Sequence, residues 1–157
     1  MTKLIKLREG MKKRGIDALL VTSPYNLRYI SNFTGTTGLS LITLDKAYFV
    51  TDFRYTEQVA TQAVGFEIVT NVGPIFNEVA RLVDENRIEK LGFEQDFVTF
   101  STFELLEQII SGELIPITGL IEELREVKSK MEIETIKKAC SISDAALKYI
   151  LGEIKPG

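Results

Sequence analysis

Histidine is missing from all 157 residues. Without imidazole the Ser-His-Asp and Cys-His triads cannot be assembled, and the commonest metal ligand and neutral-pH proton carrier is gone. Carboxylate-only metal sites survive that exclusion in principle. Here, however, Asp and Glu are scattered singly along helix faces and turns, so neither a catalytic residue nor a metal site is expected within this chain. Cysteine is nearly absent as well. Cys140 is alone, which rules out an internal disulfide, and it lies in a helical apolar pattern with no base nearby, so a buried, unreactive thiol is expected.

Long apolar runs are lacking too. No stretch approaches the about 18 residues a spanning helix needs, and the amino terminus is charged from Lys3 onward, with no signal-peptide core. The expectation is a soluble cytoplasmic protein with no membrane partner. A net charge of −3 leaves no overall basic field for a phosphate backbone, so nucleic acid is not an expected partner. Glycine and proline are present in ordinary amounts and 45% of residues are hydrophobic, which argues against disorder and for one compact domain, with room for an appendage.

What is present alternates. Lys3 to Arg14 reads as an amphipathic helix with Leu4, Leu7 and Met11 on one side and Gly15 as its carboxyl cap. Asp17 to Thr22 is a short buried-type strand. Ser23 followed by Pro24 marks the start of a short helix through about Ile30. "GLSLIT" and "KAYFVT" flank Leu44-Asp45 as a hairpin, and "DFRYTEQVATQA" reads as a helix with Asp52 as its N-cap. "FEIVT" is a strand, Gly73-Pro74 opens a helix from Ile75 to Glu85, and "EKLGFE" is another strand. Ser101 with Glu104 suggests a capping box stapled by Phe100 and Leu105, and "ELIPIT" is a strand that Pro116 confines to an edge.

This pattern predicts an α/β fold: a mixed, mostly parallel sheet with helices on both faces. The body is expected to close by about Thr118, with "GLIEELREVKS" (Gly119 to Ser129) as a charged connecting segment. Beyond it, Ser129 and Glu132 form a capping box for a long helix, whose stripe of Ile133, Ile136, Cys140, Leu147 and Ile150 needs a partner and which Gly152 and Pro156-Gly157 are expected to stop.

At "SPYNLRYISNFTGTTGLSLI" and "VTDFRYTEQ" the sequence resembles the amino-terminal domain of the creatinase, prolidase and aminopeptidase P enzymes. "LREVKSKMEIETIKKACSISDAAL" and "EIKPG" resemble the passage from that domain into the first helix of the catalytic domain and the turn after it. The resemblance covers essentially the whole chain. It implies a ribonuclease H-like amino-terminal domain over 1–124, followed over 125–157 by the connecting segment and first helix of a truncated "pita-bread" catalytic domain.

By resemblance, the full-length protein would be an Xaa-Pro dipeptidase or aminopeptidase acting on short peptides, with two divalent metal ions (Mn or Co) in the missing domain. The present part would serve homodimer contact and restrict access to the substrate entrance. The loop Ser31 to Gly35 is the matching place for such a wall. Phe33 offers an apolar ring and Asn32 a hydrogen-bonding amide; Arg54 is the third expected substrate-proximal residue and, with Asp52, would orient a neighbouring subunit; the same residues also read as core, turn, helix cap and local ion pair. A different class stays open, a peptide- or protein-binding module of a peptidase-like protein without catalysis. A plain oligomerisation domain is a third.

Overall fold

The computed structural model describes residues 3–155, and within them the chain divides into two units, one ending at Leu124 and one beginning at Arg125. The first unit holds a six-stranded sheet: β1 (Ala18–Val21), β2 (Leu39–Thr43), β3 (Ala47–Thr51), β4 (Glu67–Thr70), β5 (Lys90–Glu94) and β6 (Glu113–Ile117), in the order β4-β3-β2-β1-β5-β6. β1, β2 and β3 run as an antiparallel meander, while β3–β4, β1–β5 and β5–β6 are parallel.

Both faces of the sheet are covered, because alternate residues of each strand point to opposite sides. Leu19, Val21, Ile42 and Phe49 enter one cluster with Leu7 and Met11 of α1 (Lys3–Arg14), Leu27 and Ile30 of α2 (Pro24–Ser31) and Val59 of α3 (Thr56–Gln62). Ala18, Leu20, Leu41, Tyr48, Val50 and Leu91 enter a second with Val79, Leu82 and Val83 of α4 (Ile75–Glu85) and Leu106 of α5 (Phe100–Ile109). α1 ends where Gly15 adopts φ +67°, the left-handed geometry of a carboxyl cap. Ser23 caps α2 by accepting a bond from the Asn26 amide, with Pro24 in the first turn.

Four local expectations are corrected. Asp52 does not cap α3; its carboxylate accepts bonds from the backbone and side chain of Arg54, so the chain turns through Asp52–Tyr55 and the helix begins only at Thr56. The second capping box does not form, because α5 is capped two residues earlier than Ser101: Thr99 accepts the Thr102 amide, and Phe100 and Leu105 are both exposed. The body does not close at Thr118. The segment taken as a charged connector folds as α6 (Leu120–Glu126), and its Leu120 and Ile121 belong to the first core cluster. Gly152 does not stop the last helix, α7 (Lys130–Glu153), which runs one residue past it. Pro156 and Gly157, also expected to end it, lie outside the described residues.

The second unit, by itself, is dominated by α7. The Ser129–Glu132 capping box is complete, with each side chain bonded to the other residue's backbone N–H. No residue of α7 is buried, and Cys140, expected inside, is exposed. An amphipathic stripe predicts where a helix could be buried, and the thiol followed that stripe outward.

Candidate functional surface

The two stretches "SNFTGTTG" (31–38) and "TDFRY" (51–55) are separated by the hairpin strands in sequence and adjacent in space. The hairpin makes them so. β2 and β3 pair antiparallel with Leu39 opposite Val50, so the loop entering β2 and the loop leaving β3 emerge at the same end of the sheet. Thr51 then ties them together, its hydroxyl donating to the Thr37 carbonyl at 2.7 Å.

Asn32 closes α2 in the left-handed region, φ 62° and ψ 7°, with its amide bonded to the Arg28 carbonyl. Asn tolerates that geometry better than most residues, and the turn sends the chain outward with the Asn32 side chain exposed. The next residue goes inward. Phe33 is 2% exposed and lies edge-on to Phe49, with centroids 4.8 Å apart, and to Tyr55, at 5.6 Å. Its ring therefore has no free face for a substrate; it anchors the loop instead. Gly35 crosses directly over this pair, where an added Cβ would strike the Phe33 ring and lie 2.8 Å from Tyr55 Cε1.

Polar bonds complete the frame. The Thr34 amide donates to Gln62 Oε1 at 2.9 Å, Gln58 Nε2 donates to Thr34 Oγ1 at 3.0 Å, and the Thr36 hydroxyl meets Tyr55 OH at 2.8 Å. Across from them the Arg54 guanidinium grips Asp52 with two bonds, Nε to Oδ1 at 2.9 Å and Nη2 to Oδ2 at 2.7 Å, and stacks 5.5 Å from the Tyr55 ring centroid. The bonds from Arg54 hold the Asp52 carboxyl below its usual range, and the reciprocal effect raises Arg54. Between the paired residues, Phe53 projects outward at 79% exposure.

The structure thus leaves Asn32, Arg54 and Phe53 exposed on the two joined loops and withdraws Phe33 into the core. Phe53 is hidden in the sequence because "DFRYTEQ" reads as continuous helix. The signal was available: Asp followed two residues later by Arg suits an Asx turn, whose middle residue points away.

A second polar arrangement lies at the carboxyl ends of β1 and β5. Glu94, 7% exposed, accepts bonds from the Thr22 and Ser23 amides at 2.6 and 2.7 Å and from Asn26 Nδ2 at 2.7 Å. Asn26 also donates to Glu122 of α6. The carboxylate is already saturated by N–H donors, so it is a structural tie. Among the described residues no group of three or more Asp, Glu, Cys or His is placed to hold a metal ion. The donor set here does not fit a two-metal centre. No helix among the described residues is long and apolar enough to cross a membrane.

Geometry and topology together define an α/β domain in which two loops meet at one end of a six-stranded mixed sheet. The chain belongs to the creatinase/prolidase amino-terminal domain family, whose pattern it matches over residues 3–127. It is similar to the "Uncharacterized peptidase YqhT" of Bacillus subtilis, 44% identical, with 99% of this chain aligned to 44% of that protein. Among solved structures, an Xaa-Pro dipeptidase from Bacillus anthracis superposes with TM-score 0.96 at 48% identity, covering 99% of this chain and 44% of that one. The N-terminal domain of the cytoplasmic peptidase PepQ from Mycobacterium tuberculosis superposes with TM-score 0.72 at 31% identity, covering 78% of this chain and 97% of that one. The chain therefore spans less than half the length of the longer relatives, and nearly all of the relative solved as a separate domain.

Proposed function

We propose that this chain is the amino-terminal, non-catalytic domain of a longer Xaa-Pro metallopeptidase, a dipeptidase or aminopeptidase, and that its loop surface limits which peptides reach the reaction centre. The observation that carries this reading is the match of 99% of the chain to 44% of an Xaa-Pro dipeptidase. A pair of divalent ions, manganese or cobalt, would activate water and polarise the scissile carbonyl in such an enzyme. The described residues supply no ligand set for them, so the ligands belong to other parts of the longer protein. Self-association as a homodimer in the cytoplasm completes the proposal, with short Xaa-Pro peptides as substrate.

Within it, Asn32, Phe53 and Arg54 form the substrate-facing edge, and Phe33 fixes that edge from below. The rigidity matters because a wall selects by size only if it does not yield. The alternative of a peptide-binding module without catalysis is not favoured, since the curated relatives that match along the full chain carry peptidase names. The test is Arg54→Ala in the longer protein. Loss of a substrate-facing charge raises KM on the order of ten-fold, about 1.4 kcal/mol, with kcat and fold retained. Unchanged KM for every Xaa-Pro peptide length would remove this surface from substrate selection.

A further inference from the structure

The two edges of the sheet are not protected alike. In β6 the ladder to β5 uses Glu113, whose amide donates to the Glu89 carbonyl, so the residues of opposite parity, Leu114 and Pro116, face away from the sheet. Pro116 has no N–H to offer, and this free edge is left with one donor. In β4 the Asn71 amide donates to the Thr51 carbonyl just past the strand, in step with the pairing of Thr51 and Thr70. Glu67, Val69 and Asn71 therefore point their backbone groups at β3. Ile68 and Thr70 point theirs outward, each with an intact N–H and C=O, and the strand carries no proline and no basic residue of the kind that blunts an edge. Just beyond β4 lies Val72, 99% exposed.

An exposed backbone edge is matched by another strand, and this one is self-complementary. Antiparallel pairing across a two-fold axis must place outward-facing residues opposite one another. Within β4 a single register uses both of them: Ile68 opposite Thr70 of a second copy, and the reverse, giving four backbone hydrogen bonds with Val69 facing its own mate on the axis. In that register Glu67, the strand's one charge, lies opposite an Asn71 amide rather than another carboxylate, and Val72 approaches the Phe66 of the other copy. We propose that β4 is the strand through which two copies of this chain associate, extending the six-stranded sheet across a two-fold axis. The proposal rests on the self-association part of the function given above and is independent of the peptidase activity.

Disulfide trapping reads the register directly. Non-hydrogen-bonded antiparallel pairs bring Cα atoms to about 4.5 Å, within bridging range, whereas residues offset by two positions across the axis lie about 7–8 Å apart, beyond it. In a Cys140→Ser background, which removes the exposed thiol, mild oxidation of Val69→Cys is expected to give a covalent dimer and Ile68→Cys is not. Thr70→Pro removes an outward N–H without touching the β3 ladder, and its light-scattering mass is expected to fall from dimer to monomer while far-UV circular dichroism is unchanged. A dimer that survives Thr70→Pro, or that crosslinks equally at positions 68 and 69, overturns the β4 surface and leaves self-association standing. A parent chain that is monomeric throughout overturns both.

Discussion

Phe33 and Tyr55, 22 residues apart in sequence, meet ring edge to ring face at 5.6 Å between centroids and an interplanar angle of 85°. That contact joins the two loops that carry the family resemblance. The surface presented by Asn32, Phe53 and Arg54 inherits its rigidity from it.

Gly35 is the residue that lets the loops close over this contact. Any Cβ there strikes the Phe33 ring, and neither Phe33 nor Tyr55 is a flexible chain end. Gly35→Ala is expected to cost about 1–3 kcal/mol, the usual range for overpacking. Urea unfolding monitored by circular dichroism measures it. A variant as stable as the parent would show that the loop shifts freely.

Asn26 holds two carboxylates at once, Glu94 and Glu122. Asn26→Ala leaves a nearly buried carboxylate short of one donor and removes one of the ties between α6 and α2, the Tyr29 hydroxyl bond to the Leu124 carbonyl remaining. Stability should fall by about 1–3 kcal/mol, the penalty for a polar group left unsatisfied. Asn26→Asp should be worse at neutral pH, since it sets a third negative charge between the other two. Equilibrium unfolding of the two variants side by side decides the order.

The Asp52–Arg54 pair predicts a pH dependence of the loop. Asp52 has its carboxyl held below the ordinary value of 3.8 by Arg54. A folded-state value below the unfolded one means the pair's contribution is fully present above 3.8 and is lost as pH falls through the depressed value. The Arg54 Nε–H resonance should therefore keep its bonded chemical shift at pH 5 and move toward the free-guanidinium value only under more acidic conditions. In Asp52→Asn it should be exchange-broadened already at neutral pH. The pair is exposed, so added salt weakens the effect.

Much of the architecture is legible in the sequence because strong local signals agree with the tertiary outcome. Gly15, the Ser23-Pro24 start, the Leu44-Asp45 turn, Pro116 at an edge and the Ser129–Glu132 box all act within a few residues of themselves, and all appear as read. The failures share a different cause. Thr99 and Ser101 are both competent caps two residues apart, and sequence alone does not say which one the packing of Leu106 selects. Leu120 and Ile121 sit in a charged context that hides two core residues. Asp52 was competent as a cap, but the Arg54 fork engaged it first. The candidate surface was legible as a pair of motifs and not as a set of exposed side chains, because alternation decides whether Phe33 or Phe53 faces out, and a turn of one residue reverses that choice.

The central claim is that the loop surface belongs to a domain that needs the rest of a longer peptidase for chemistry. Hydrolysis of an Xaa-Pro dipeptide, with manganese or cobalt supplied, should be compared between the 157-residue chain and the longer protein that contains it. Turnover by the longer protein alone is the predicted result. Turnover by the 157-residue chain itself would place a reaction centre among residues that, as described, hold neither a histidine nor a metal-binding cluster, and would contradict the account.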